Sequence, residues 1–471
     1  GSFDCDCACA CDPQSGLERQ ADTSHYVQPA GVLSLPLDGG WHVSYNPMGP
    51  VGIAVLNAPA RQVLAGFHRP TMPEQVVGRV AGISPDVTRS TIDSMVHLGL
   101  LSPAHGAPRS HEKPTALSAW LHVTQACNLD CDYCYVPKRP GHMGAEIGLI
   151  AVDRLAETAL HNGYSRLKLK YAGGEPTLNF PVIEAIHARA ARRTAEAELF
   201  LEEVVLTNGV EVTDRVLDCL VQAGMRLMVS IDGGAETHDR TRARRDGRST
   251  YAAVVDTVDR ALVRGLRPCI SITLTALNLE GVEGAVAFAL ERSLPFNLNF
   301  YRECSPSEPV ASPSDKGART SLVPAPDRLI AAMLRIFSLI RAYPTYPLSL
   351  SSILDRARLD FPHDSACSAG RDYLVVDTHG QVSACQMLMD EPWAEVAQED
   401  PLAVVRQHGH DLFRPVEEHP SCHGCEWRTA CGGGCPLLRN SSLHERYCQV
   451  YRMLFPELIR LEGFRLVACQ P

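Results

Sequence analysis

Three cysteines, Cys127, Cys131 and Cys134, stand in the spacing C-x3-C-x2-C. Thiolate is the natural protein ligand for an iron–sulfur cluster, and spacings this short let one loop wrap one cube. Three ligands leave one iron without a protein donor. A structural zinc site is closed by four ligands and has no use for that gap, whereas an open iron can bind and activate a small molecule. A second concentration lies further along. Cys367 comes first, then Cys385 in a G-x4-C arrangement with Gly380, then Cys422, Cys425, Cys431, Cys435 and Cys448. The last five are separated by two, five, three and twelve residues. Cys422 to Cys435 alone would also suit a four-cysteine zinc site. The further cysteines beside them, and the triad upstream, favour iron–sulfur ligation.

The chain has 18 cysteines in 471 residues. The first thirty residues lack the basic start and apolar core of a secretory signal. A cytoplasmic setting is expected, where thiols stay reduced and clustered cysteines mean metal. No long apolar run predicts a membrane-spanning helix. The formal net charge is −10, and the densest basic stretch, Arg240 to Arg245, is local, so neither nucleic acid nor membrane is an expected partner. Cys219, Cys269 and Cys469 fall outside both groups and read as core or surface thiols.

From about residue 118 the chain alternates strand and helix signals. Strands are expected near 119–125, 166–171, 202–207, 226–231, 268–275 and 296–302, with helices near 148–161, 181–197, 213–223, 250–264 and 280–292. Alternation of this kind implies right-handed crossovers and a parallel sheet. Six strands fall short of an eight-fold barrel. The expected fold is therefore α/β, a partial (β/α)6 TIM-like barrel over 117–305. An excursion and a bridging helix occupy 306–349, and a cysteine-rich domain fills 350–471. Ahead of the barrel, residues 1–30 form a flexible tail whose alternating Cys5, Cys7, Cys9 and Cys11 fall on one side of an extended strand. That tail is an oxidisable segment, a metal site or a modifiable peptide. Residues 31–101 form a small winged-helix-like unit, and 102–116 a linker. In the small unit, strands at 32–37 and 41–45 flank Asp38-Gly39-Gly40, a hairpin turn. Helices follow near 57–66, 72–81 and 86–98, the last with an apolar stripe of Val87, Ile92, Met95, Val96 and Leu98.

Barrels of this kind place their sites at the C-terminal ends of the strands. The triad follows the first strand, and Gly173-Gly174-Glu175 ends the second. Two glycines let a backbone approach a ligand closely, and their peptide groups can bind an ammonium. Thr207-Asn208 ends the third strand. Ser230, Ile231, Asp232 and Gly233 close the fourth and lead to Arg242. A guanidinium there binds a carboxylate in a bidentate way, or simply pairs with Asp232 in a turn. Arg302 and Glu303, past the sixth strand, face the substrate or form a surface pair at the loop entrance. No side chain stands out as a catalytic acid or base.

With Tyr133 before the last cysteine of the triad, these motifs together resemble the radical S-adenosylmethionine (SAM) superfamily, and in particular its peptide-modifying SPASM branch. The resemblance covers residues 118–470. It implies that the open iron chelates SAM and that reductive cleavage of the sulfonium yields a 5′-deoxyadenosyl radical. It further implies that Gly173, Gly174 and Glu175 meet the SAM amino group and that Ser230 and Arg242 meet its ribose or carboxylate. Tyr133, Thr207, Asn208 and Asp232 would line the same pocket. The seven later cysteines resemble the SPASM pattern, which holds two auxiliary clusters. Cys422, Cys425, Cys431 and Cys448 are then assigned to the distal one, and Cys367, Cys385 and Cys435 to the nearer. Some relatives supply a fourth ligand six residues after the first cysteine; here Tyr373 stands there. The near cluster then has an open iron able to take a substrate thiolate, or another group such as Cys304 closes it. The implied cofactors are three 4Fe–4S clusters and SAM.

Residues 31–101 resemble the PqqD-like domains that capture leader peptides, where an exposed strand edge can pair with an extended chain. The expected function is thus a maturase that abstracts hydrogen from a ribosomally made precursor peptide and forms a thioether or carbon–carbon crosslink. An external one-electron reductant such as flavodoxin or ferredoxin would supply it. A formylglycine-generating sulfatase maturase is the alternative within the branch. A non-catalytic iron–sulfur electron relay or peptide-binding protein is the alternative outside it.

Overall fold

The computed structural model describes residues 25–49, 52–104, 115–244, 246–303, 321–359, 362–398, 400–410, 412–439 and 441–469. Cys5, Cys7, Cys9, Cys11 and Cys304 lie outside the described residues. No described helix is long and apolar enough to cross a membrane.

The chain opens with β1 (Tyr26–Val27) and an antiparallel sheet of β2 (Leu33–Pro36), β3 (His42–Tyr45) and β4 (Ile53–Leu56), in the order β2-β3-β4. Gly39 and Gly40, at φ 71° and 80°, make the expected turn between β2 and β3, a conformation side chains with a Cβ resist. Helices Ala58–Ala65, Pro73–Val76 and Pro85–His97 follow, and β5 (Ser102–Pro103) returns to pair with β1. β4 was not expected. Ala54 and Leu56 join the core under the helices while Ile53 joins the main core, so the strand is apolar on both faces and shows no alternation. The second helix is shorter than the expected 72–81, because Gly78 adopts φ 80° two residues past its end. Of the apolar stripe, Val87 is 52% exposed in the first turn, whereas Ile92 and Met95 are buried.

The small sheet is fused to the rest of the protein. Leu37, Val43 and Tyr45 pack into the main core, against the long C-terminal helix Ser442–Ala468. Tyr45 stacks on Trp427 (6.2 Å), which stacks on Phe455 (4.8 Å). A Cβ on Gly463 would lie 2.7 Å from Val43 Cβ and 2.9 Å from Leu37 Cδ1. Gly463→Leu should therefore undock the small sheet despite leucine's better helix propensity. Limited proteolysis would then cut ahead of the barrel many-fold faster, while Gly144→Ala, with open space at its Cβ, should cut at the wild-type rate.

The main sheet begins with β6 (Ala116–Thr124), β7 (Arg166–Gly173), β8 (Phe200–Thr207), β9 (Arg226–Ser230), β10 (Cys269–Leu274) and β11 (Phe296–Phe300). All six are parallel and adjacent in chain order, as alternation with helices predicts. The connecting helices include Ala145–His161, Phe180–Glu196, Asp214–Ala223, Tyr251–Val263 and Glu283–Glu291. The C-terminal region does not stand apart from this sheet. β12 (Tyr373–Val376) pairs in parallel with β6, Tyr373 opposite Ser118, and β13 (Gln381–Ser383) and β14 (Ala394–Glu395) extend the sheet antiparallel to nine strands. Leu117, Ala119, Leu121 and Val123 of β6 enter the hydrophobic core. By strand alternation, Ser118, Trp120 and His122 share the opposite face, where Trp120 meets the Tyr373 ring edge-on at 6.1 Å.

Candidate functional site

The triad loop leaves β6 and is tied down before its thiols are placed. Thr124 Oγ1 donates to Gly141 O (2.9 Å) and accepts the Ala126 N–H (3.0 Å). Asn179 Nδ2 bridges the carbonyls of Val123 (2.8 Å) and Met143 (3.1 Å), and Asp130 N donates to Ala243 O (2.8 Å). Gly173 and Gly174 press against this loop. A Cβ on Gly173 would lie 2.1 Å from Thr124 O, and one on Gly174 2.2 Å from Ala126 O. Gly174 N and Glu175 N donate to those same two carbonyls, each at 2.8 Å. The two glycines thus let the cysteine loop approach the strand end closely.

Glu175 is buried, and both its oxygens are occupied. Oε1 accepts from Thr177 N (3.1 Å), Thr177 Oγ1 (2.7 Å) and Thr207 Oγ1 (2.8 Å), and Oε2 from Asn208 N (2.7 Å). Burial pushes its pKa up, and the four donors act against that shift. Asn208 then passes the order on to the triad. Its amide donates to Asn128 Oδ1 (2.7 Å) and approaches Cys127 Sγ (3.8 Å), which also accepts from Leu129 N (3.4 Å). Thr207, Asn208 and Glu175 thus form a layer behind the cysteines.

Asp232 is fully buried. Its Oδ2 accepts from the Tyr133 hydroxyl and from Arg242 Nη1 (3.1 Å), and the same Arg242 nitrogen donates to the Tyr133 oxygen. Oδ1 accepts from Thr273 N (2.8 Å). Burial works against the Arg242 charge, but Tyr133, Cys131 and Asp232 outweigh it and hold the guanidinium protonated. His238 is kept neutral by burial, its pKa lowered to about 4, and its Nδ1 accepts the Asp232 N–H (3.3 Å). The pairing of Arg242 with Asp232 weighed in the sequence is present. The Arg242 Nε–H is buried without a partner among the described residues. Ser230 is half-buried at the end of β9. Two other arginines of the basic run are engaged too: Arg240 donates to Leu277 O (2.9 Å), and Arg244 pairs with Glu211 and Asp246.

The later cysteines separate into two electrostatic groups. Cys431 feels Cys448, Cys422 and Cys425, whereas Cys385 feels Cys435 and Cys367. Burial pushes Cys131, Cys385 and Cys431 each up to about 12. Without metal they are thiols at neutral pH, and loading a metal must displace their protons. Tyr373 donates its hydroxyl to Gln386 Oε1 (2.8 Å), which also takes the Cys385 thiol (3.5 Å). Arg302 is not a surface pair with Glu303. It forms a buried ion pair with Asp355, which also accepts the Phe300 N–H (3.0 Å), while Glu303 is exposed. Cys269 is buried, Cys219 half-buried and Cys469 exposed.

Two side chains escaped the sequence reading. Tyr135, next to Cys134, has its pKa raised by burial and then by both Cys134 and Cys385. It is therefore within electrostatic reach of Cys134 in the first thiol loop and of Cys385 in the C-terminal group, with its ring 6.0 Å from that of His122. Its position beside a triad cysteine was the only signal. Arg439, four residues past Cys435, is buried among the C-terminal thiols; nothing in its spacing marked it.

Residues 121–289 match the family model of the radical SAM superfamily. An uncharacterized protein of Archaeoglobus fulgidus is 25% identical over 354 residues, which cover 72% of this chain and 79% of that one. The sporulation killing factor maturation protein SkfB of Bacillus subtilis is 25% identical over 192 residues, 40% of this chain and 43% of its own. The GTP 3′,8-cyclase of Chlorobaculum tepidum is 30% identical over 166 residues, 34% and 45% of the two chains. The match thus spans less than half of the last two relatives. Among solved structures, native anSMEcpe with bound AdoMet superposes with a TM-score of 0.58 at 17% identity, over 74% of this chain and 99% of that one. At that identity the likeness is one of fold. Residues 121–289, with the thiol loop at the end of β6 and the ordered ends of β7, β8 and β9 around it, are a radical SAM domain, and the members of that superfamily are enzymes.

Proposed function

We propose that this enzyme is a peptide maturase that cleaves SAM reductively, abstracts hydrogen from a ribosomally made peptide and closes a thioether or carbon–carbon crosslink. The observation that carries the reading is the pairing of β12 with β6. It joins the strand that Cys367 precedes to the sheet whose strand β6 leads into the triad loop, with Cys385 just after β13 of the same sheet, and Tyr135 feels a thiol of each group, Cys134 and Cys385. A peptide residue in that space would meet the SAM site on one side and an electron acceptor on the other. The name of SkfB, a maturation protein for a sporulation killing factor, supports the reading as a maturase.

The thiols suit the implied groups. A tetrahedral zinc site draws its sulfurs to about 3.8 Å, from Zn–S bonds of about 2.3 Å. Among the described residues no three candidate ligands are gathered for a single metal ion, while each thiol set stays within mutual electrostatic reach. Cys127, Cys131 and Cys134 would hold the first 4Fe–4S cluster. Cys422, Cys425, Cys431 and Cys448 would hold the distal auxiliary cluster, and Cys367, Cys385 and Cys435 the near one. When bound, these groups supply the electron that cleaves SAM and an acceptor for the surplus one. The protein's own part is positional. Glu175 fixes the layer behind the triad, Asp232 fixes Tyr133 and Arg242, and Gly173, Gly174, Ser230 and Arg242 would hold SAM. The small N-terminal sheet, with β2 at its edge, would take the leader segment.

The test is anaerobic reconstitution, reduction and addition of SAM. About twelve iron atoms per chain and 5′-deoxyadenosine should be found. With a short peptide encoded beside the gene, mass spectrometry should show a loss of two hydrogens with sulfur retained. Loss of sulfur would instead indicate formylglycine formation, and iron without 5′-deoxyadenosine would indicate an electron relay.

A further inference from the structure

Arg439 follows the short turn Pro436–Leu438, itself directly after Cys435. Its side chain is buried, with 8% of the residue exposed. Nη1 donates to Arg414 O (2.5 Å) and Nη2 to Gly432 O (3.2 Å), while the buried Nε–H has no partner among the described residues. No carboxylate pairs with it among those residues. The titratable groups facing it besides the thiols are His419 and His444, whose pKa values burial lowers. This is a cation in low dielectric without a carboxylate counter-charge, an arrangement that costs heavily unless other negative charge is near.

Carbonyl dipoles and the thiols of both sets converge on it. Gly432 follows Cys431 of the distal set, and its carbonyl also accepts the N–H of Ala366 (3.1 Å), which precedes Cys367 of the near set. A Cβ on Gly432 would stand 2.4 Å from Ala366 N, and one on Gly433 3.1 Å from Arg439 Nη2. The two thiol loops are thus pressed together where the guanidinium is clamped. Burial lowers the Arg439 pKa, and Cys367, Cys422, Cys435 and Cys431, drawn from both sets, oppose it. The neighbouring arginines differ. Arg356 feels Cys367 and Cys435 of the near set, and Arg452 feels Cys425, Cys448 and Cys422 of the distal set.

Given that both sets hold clusters, we infer that Arg439 is a shared positioning cation that raises the reduction potentials of both auxiliary clusters together. A cation favours the more negative, reduced state of each cluster, and in a poorly solvated interior that preference is not screened. One guanidinium between two clusters links them, which suits a pair that must pass on the same electron.

The experiment is an anaerobic redox titration of the reconstituted full chain followed by EPR, with no peptide present. Arg439→Gln should move both auxiliary midpoints to more negative potential and leave the first cluster unchanged. Arg439→Lys, shorter and unable to keep both carbonyl anchors, should produce a smaller fall in both. Arg356→Gln should lower the near cluster alone. If Arg439→Gln leaves both midpoints in place, or moves only one, the inference is overturned. If that variant fails to keep its iron, Arg439→Lys decides by the same criterion. A wild-type enzyme lacking auxiliary EPR signals would overturn this inference together with the cluster assignment, whereas normal signals that ignore Arg439 overturn this inference alone.

Discussion

Gly174→Ala should strip the first cluster from the protein and reduce SAM cleavage at least a hundredfold, while iron bound by the C-terminal thiols is kept. The added Cβ would sit 2.2 Å from Ala126 O and 2.6 Å from Ala126 C, both backbone atoms. No side chain can rotate to relieve the overlap, so the strand end and the thiol loop must part. Cys127 lies one residue beyond Ala126, and Glu175, one residue beyond Gly174, carries the clamp on Thr207 and Asn208. The displacement therefore reaches both the ligand and its support. Gly173→Ala should behave similarly, with a 2.1 Å overlap on Thr124 O and φ of 134°, where an L-residue is strained. The measurement is iron content together with the EPR spectrum of the reduced protein. Gly144→Ala, at a helix start with nothing near its Cβ, is the control and should keep all its iron. A Gly174→Ala enzyme with the full first-cluster signal would show that the loop can move aside at little cost. The close approach would then be incidental to the site.

Much of this site was legible because the chemistry is local. Cys127, Cys131 and Cys134 lie within eight residues of one another, and six strand signals alternating with five helix signals suffice to place the loop at a strand end. The division of the later thiols is what the resemblance implies; in the fold Cys431 has Cys448, Cys422 and Cys425 as electrostatic neighbours, and Cys385 has Cys435 and Cys367. What stayed hidden depends on contacts distant in sequence. β12 is a four-residue run, Tyr373–Val376, whose partner β6 lies some 250 residues earlier. No local pattern announces such a pairing. β4 was hidden for the opposite reason, since burial on both faces removes the alternation that marks a strand. Glu175 shows a third kind of limit. The resemblance sets it toward SAM, and nothing in the sequence announces that the hydroxyls and N–H groups of Thr177, Thr207 and Asn208 bond to both of its oxygens. Only the assembled structure shows which donors reach it first.

The arginine of the same pocket is open to a sharper test, because its carboxylate partner is fully buried. Removing the charge in Asp232→Asn leaves Arg242 without its counter-ion and the Tyr133 hydroxyl and Thr273 N–H with a weaker acceptor. Breaking one side of a buried pair costs about 3–5 kcal/mol, read as a fall in the urea midpoint of the reconstituted protein at unchanged slope. Adding Arg242→Gln should recover more than half of that loss, since no unpaired cation then remains. A double variant no more stable than the single one would show that the cost arises from packing around Tyr133. The same pair separates scaffold from ligand binding. Arg242 presents an Nε–H that nothing in the described protein satisfies, and a charge-assisted bond to a carboxylate contributes about 1.5–3 kcal/mol. If that donor meets SAM, the stability-recovered double variant should bind SAM roughly tenfold to a hundredfold more weakly than wild type. If Asp232 and Arg242 only brace each other, its affinity for SAM should match that of the wild-type enzyme, and Arg242 would leave the list of residues that hold the cosubstrate.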